Sequence, residues 1–163
     1  MTAEGIYLRP GEAYIEDRHV LVSTILGSCV SVTMFHRSQR GRICHAVLPS
    51  NPDPLAHDAF RYVDSSIEYM LDSLLSEGVS RGEIEVKIFG GANTFRSGSA
   101  VGDLNAAAAL QFVRKKGLKL CASDLGGKSG RKILFDTHTG LIFLKRLRTS
   151  EAQAFLTSCP EHQ

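Results

Sequence analysis

Cys29 follows two small residues in "LGSCV" (26–30), and His45 stands in the next apolar segment, "RICHAVLP" (42–49). A thiol and an imidazole are the two parts a nucleophilic site needs. A free thiol with a pKa of about 8.5 is only a few per cent thiolate near neutral pH, and a cationic neighbour lowers that value. An imidazolium is such a neighbour, and it then returns its proton to a departing amine. A third group must hold the ring in one orientation. Gly27 and Ser28 leave room for a substrate carbonyl, and free backbone N–H groups at such a turn would hold its developing negative charge. If Cys29 is a nucleophile, its expected state is therefore a thiolate paired with His45.

The elements around the pair must bring it together. "CVSVTMF" (29–35) alternates and "RICHAVL" (42–48) is nearly all apolar, so both read as strands, with the polar "HRSQRG" as a hairpin connection. Neighbouring strand residues point to opposite faces, so a His45 that faces the site turns Cys44 into the core. Cys121 and Cys159 have no His at a telling position, and the other histidines sit in loop-like or charged contexts. On spacing alone, a packed thiol and a hydrogen-bonded core histidine are the commoner fate of such residues.

The rest of the chain supplies more strands and two helices. Strands are expected at 11–16, 19–24, 84–92, 118–127, 131–137 and 141–147. A helix over 56–77 carries Phe60, Val63, Ile67, Met70, Leu71, Leu74 and Leu75 on one stripe and stops at Gly78. A second, over 102–117, has Asp103 as its N-cap and ends at Gly117, and a short helix fits 150–158. Strands at both ends, helices between them and short loops predict an α+β (mixed α/β) fold. It is one domain with largely antiparallel or mixed sheets packed against two main helices.

Composition excludes several classes. A chain of 163 residues with net charge +2 gives little support to nucleic-acid binding, although "RKK" (114–116) and "KRLR" (145–148) are locally basic. No apolar run predicts a signal peptide or membrane insertion, which points to the cytoplasm and reduced thiols. No C-x-x-C pair suggests zinc. "GGKSGRK" lacks the leading Gly of a phosphate loop, since Ala122 stands there, and a strand rather than a helix follows it. These glycines, with Gly90 and Gly91 of "FGGA", fit tight turns beside a site.

In order, "LGSCV" (26–30), "HAVLP" (45–49), the helix containing Tyr62, "KIFGGANTF" (87–95), "VGDLN" (101–105), "DLGGKSGRK" (124–132) and "TGLIFLKRL" (139–147) resemble the chemoreceptor glutamine deamidase family, CheD. The likeness spans a core of about 6–148 and leaves 149–163 as an extension. It implies a fold similar to the catalytic domain of cytotoxic necrotizing factor toxins. It implies Cys29 as nucleophile, His45 as general acid and base, and a third hydroxyl-bearing member six residues before the cysteine. That position is Ser23, with Thr24 beside it. The implied reaction converts glutamine side chains of methyl-accepting chemoreceptors to glutamate, with release of ammonia and no cofactor or metal; the same thioester chemistry would admit glutamate methyl esters. A CheC-type phosphatase is the implied partner. Asn93, Lys128 and Arg131 become candidate substrate contacts or site-shaping residues. A non-catalytic regulator of a phosphatase or receptor is the alternative, and a cysteine peptidase a third reading.

Overall fold

The computed structural model describes residues 3–53, 55, 57–93 and 100–148. Its strands are β1 (Glu4–Tyr7), β2 (Ala13–Tyr14), β3 (Val20–Leu26), β4 (Val30–His36), β5 (Arg40–Cys44), β6 (Glu85–Gly90), β7 (Lys119–Leu125), β8 (Arg131–Asp136) and β9 (Ile142–Arg146); its helices are α1 (Val63–Leu75) and α2 (Val101–Lys115). One sheet runs β1-β3-β8-β9 and the other β2-β5-β4-β6-β7. Most pairs are antiparallel, while β1–β3 and β6–β7 are parallel. The mixed α/β expectation holds.

Alternation along the strands builds three layers. Val20, Val22 and Leu26 of β3 and Ile133 and Phe135 of β8 pack against Ile43 and Phe89 of the second sheet. On the other side of that sheet, Val30, Val32, Met34, Val86 and Ile88 meet Ile67, Met70, Leu71 and Leu74 of α1 and Ala109 and Val113 of α2. Each such side chain contributes roughly 1.5–3 kcal/mol on burial. The outward face of the first sheet leaves Phe143 59% exposed. A fully buried Arg42 ties β5 to Asp17 at 2.8 Å and to Glu77, just past α1, at 3.0 Å. Paired in this way, its charge is tolerated in the interior.

Several boundaries differ from the sequence reading. Strand β1 was not anticipated; it is a short, half-exposed edge without a repeating pattern, held by its register on β3. The strand expected at 11–16 shrinks to two residues. Helix α1 begins at Val63 rather than 56, because Tyr62 is extended and bridges Leu48. That tertiary pairing outcompetes helical extension of the chain before it. Helix α2 starts at Val101 with Ala100 in the cap position, so Asp103 lies in the first turn, where it complements the helix dipole, and is not the cap. Gly78 and Gly117 do end their helices in left-handed conformations. The helix expected at 150–158 falls outside the described residues.

The start of α2 presses on the segment after β6. A Cβ on Gly102 would lie 2.3 Å from the Ala92 carbonyl oxygen and 2.7 Å from that of Gly91. Backbone on both sides leaves nowhere to yield. Gly102→Ala is therefore expected to destabilise the fold by about 1–3 kcal/mol, read as a lower denaturant midpoint at unchanged slope.

Candidate active site

Cys29 and His45 lie just past the regular ends of β4 and β5, where the ladder makes one last antiparallel bridge. The Val30 N–H donates to the Ala46 carbonyl at 3.0 Å, and the Ala46 N–H to the Val30 carbonyl at 2.8 Å. The β4–β5 register, with Thr33 opposite Ile43, carries on through this bridge and puts Ser31 opposite His45. Cys29 is then the diagonal neighbour of His45 on the same face, a separation that side chains span. That face looks toward the first sheet, where Cys29 packs at the edge of the inter-sheet core. Cys44 points the other way and is fully buried among the helix-facing residues.

The ring of His45 is oriented across the gap between the sheets. Its Nδ1 lies 2.7 Å from Thr24 Oγ1, and the same hydroxyl donates to the Leu8 carbonyl at 2.7 Å. A hydroxyl has one proton, and a carbonyl can only accept. The Thr24 proton thus goes to Leu8, and Nδ1 must carry the hydrogen of the imidazole. Nε2 is left as a bare lone pair; it is buried and has no hydrogen-bond partner among the described residues. It is the basic atom of the site.

This geometry corrects the choice between Ser23 and Thr24. Ser23 lies on the outward face of β3, next to Tyr7 of β1 and Leu134 of β8 in the register. Thr24 shares the inward face with Val22 and Leu26. Counting six residues back from the cysteine selects Ser23; strand parity selects Thr24.

Short backbone contacts shape the turn that carries Cys29. Gly91 N–H donates to the Cys29 carbonyl at 2.9 Å and Ala92 N–H to that of Gly27 at 3.0 Å. Gly90 has φ +110°, and a Cβ there would sit 2.2 Å from the Cys29 carbonyl oxygen, so only glycine fits. The "GGKSG" loop is stitched to this segment: Gly126 N–H donates to Gly90 O and Asn93 N–H to Gly127 O, both at 2.9 Å. Arg131 is 1% exposed, and its guanidinium donates to Asp124 at 2.6 Å and to the carbonyls of Gly90, Ser129 and Gly126. It holds the loop from within rather than meeting substrate. Lys128 is exposed, Ser28 half-buried, and the buried Asn93 Oδ1 has no hydrogen-bond partner among the described residues. Among the described residues no group of three or more His, Cys, Asp or Glu is gathered to hold a metal ion.

One residue escaped the sequence reading. Asn105 of α2 is fully buried, and its Nδ2 donates to Ser28 O at 2.9 Å and to Val47 O at 2.8 Å. The available signal was its stripe: with Gly102, Ala109 and Val113 it forms the buried face of α2, where a polar residue is out of place.

Electrostatics depart from the expected ion pair. Burial pushes the Cys29 thiol up to about 11, with the Arg61 guanidinium opposing it. Burial also drives the His45 imidazole down to about 4, against the Leu8 carbonyl and the Glu12 carboxylate, which favour its charged form. In this conformation thiol and imidazole are both neutral, and no hydrogen bond joins them. Desolvation outweighs the partners on both residues.

The family model described as CheD chemotactic sensory transduction matches residues 47–146. A probable chemoreceptor glutamine deamidase CheD 2 of Geobacter sulfurreducens is 45% identical over 153 residues, which cover 91% of this chain and 94% of that protein. The chain belongs to the CheD family. Probable chemoreceptor glutamine deamidases CheD of Maridesulfovibrio salexigens, 41% identical over 87% of this chain and 91% of theirs, and of Vibrio vulnificus, 36% identical over 90% and 73%, are further relatives. The family-model match begins after His45, so in this CheD chain it rests on the helices and glycine loops and not on the Cys29–His45 pair.

The buried imidazole predicts an acid-sensitive fold. Unfolded His45 takes up a proton below about pH 6.5, whereas folded His45 resists until about pH 4. Stability is full above that window and falls by roughly 3 kcal/mol as pH drops through it. His45→Gln should flatten the decline in denaturation measured from pH 7 to pH 4.5.

Proposed function

We propose that this chain is a protein-glutamine deamidase acting on the cytoplasmic domains of methyl-accepting chemoreceptors. The observation that carries the reading is the bare Nε2 of His45, fixed by Thr24 on the face it shares with Cys29, in a chain whose relatives are named chemoreceptor glutamine deamidases.

In the first step the Cys29 Sγ attacks the carbonyl carbon of a glutamine side chain, and its proton passes to His45 Nε2. His45, with Nδ1–H braced on Thr24, is briefly an imidazolium. It gives that proton to the departing nitrogen, ammonia leaves, and a thioester joins Cys29 to the substrate. Water then transfers a proton to Nε2 as its oxygen adds to the thioester carbonyl. The sulfur departs as thiolate and recovers the proton from His45, leaving glutamate. A neutral resting pair suits this course, because the proton moves only as the S–C bond forms. A CheC-type phosphatase is the expected regulatory partner.

A regulator with weak turnover is the second reading, and one observation favours it: a thiol pushed up to about 11 is scarcely ionised at neutral pH. Ser23 gives no ground for lost turnover, since Thr24 supplies the hydroxyl on Nδ1.

Mass spectrometry of a purified receptor should show gains of about one dalton at particular glutamines, from NH2 replaced by OH, and none with Cys29→Ala. Identical spectra from the two proteins would end the deamidase reading. Thr24→Val should lower kcat by about 10–100-fold by freeing the ring, while Ser23→Ala stays near wild type. Because the base form of His45 persists down to about pH 4, kcat/KM should show an acid limb there and no inflection between pH 6 and 8. A limb near pH 6.5 would instead indicate an exposed imidazole.

A further inference from the structure

Three successive carbonyls in the nucleophile's turn are each held by one donor, on the side of α2 and the "FGGA" segment. Gly27 O accepts from Ala92 N–H and Cys29 O from Gly91 N–H; between them, Ser28 O is held by a side chain, Asn105 Nδ2. In a trans peptide the N–H points opposite the C=O of the same unit. Anchoring Gly27 O and Ser28 O therefore turns the N–H groups of Ser28 and Cys29 away from the helix, toward the side where Sγ and His45 lie. Among the described residues neither N–H donates a hydrogen bond.

We propose that Asn105 is a positioning residue that fixes the Ser28–Cys29 peptide so that its N–H faces the oxygen of the reacting amide. The inference rests on the deamidase reading and adds the group that stabilises its transition state. As sulfur adds to the carbonyl carbon, the C=O electron pair moves onto oxygen, and two aligned N–H donors meet that charge. Asn105 uses both hydrogens of one nitrogen: the first holds Ser28 O, and the second holds Val47 O, two residues beyond His45. One amide thus sets the nucleophile's turn against the segment that carries the base.

The residue is a costly choice for packing alone. Its Oδ1 is buried with no partner among the described residues, a condition that destabilises a fold. Its neighbours on the same stripe are Gly102, Ala109 and Val113, which bury no polar side chain. A residue kept there against stability points to the loop it holds.

The test uses the full chain with Asn105→Ala and Asn105→Ser. Three quantities are measured: alkylation of Cys29 by iodoacetamide, followed by peptide mass; affinity for a receptor peptide whose target glutamine amide is replaced by an aldehyde; and ammonia release from receptor. Alkylation is a displacement at saturated carbon and builds no charge on a carbonyl oxygen. The aldehyde adds the thiol reversibly, its oxygen taking the thiol proton and occupying the proposed site.

Asn105→Ala should lose about 10–100-fold in aldehyde affinity and in kcat, at nearly unchanged KM and alkylation rate, with Asn105→Ser in between. The inference is overturned if all three readouts fall in equal proportion, if none falls, or if both variants lose cooperative melting, which would make Asn105 a packing residue. A wild type that captures the aldehyde but releases no ammonia overturns the deamidase reading, and the aldehyde comparison then still decides on Asn105. A wild type that captures no aldehyde overturns the inference itself.

Discussion

One hydroxyl, that of Thr24, sets the orientation and tautomer of the His45 ring. It sits 2.7 Å from both the Leu8 carbonyl and His45 Nδ1. Because it can donate only once, its proton fixes the tautomer of the ring and leaves Nε2 basic. Three elements must be in register for this to happen. β3 presents Thr24 inward, the chain after β1 brings Leu8 beside it through the Leu8 N–H to Ser23 carbonyl bond, and the end of β5 delivers His45 from the other sheet. The small β1 edge is therefore part of the site, although it contributes little to the core.

The site trades charge for dryness. Burial holds both thiol and imidazole neutral, so that neither carries charge at rest. In the proposed reaction, charge created at the site would meet fixed dipoles in a medium that weakens them little. Buried guanidinium groups elsewhere are handled differently: Arg42 meets the carboxylates of Asp17 and Glu77, and Arg131 meets that of Asp124 and three backbone carbonyls.

Glycine loops that look like anion cradles serve here as joints. "FGGA" turns back under Cys29 because Gly90 alone tolerates both its backbone angle and the Cys29 carbonyl. Gly102 lets α2 come close to that segment, and Asn105, one turn on, reaches the nucleophile's turn. "GGKSG" is pinned by a buried arginine rather than by a phosphate. The motifs "KIFGGAN", "VGDLN" and "DLGGKSGRK" thus describe one scaffold around Cys29.

From its sequence alone this protein disclosed its fold class, the two helices, most strands and the opposite facing of Cys44 and His45. These follow from local periodicity, which a chain carries in its residue types. Tertiary structure alone decided the start of α1, where a Tyr62–Leu48 bridge overrides helical pattern, and the existence of β1, whose four residues hold no pattern of their own. It also decided which of the Ser23 and Thr24 hydroxyls meets His45, since counting along the chain does not show which face of β3 meets the second sheet. The thiol's state reversed for the same reason: the sequence names the imidazole beside it, whereas the depth of burial is set by how two sheets close. Asn105 was legible only as a polar residue on an apolar stripe, because its partners are backbone carbonyls, which every residue has and no sequence distinguishes.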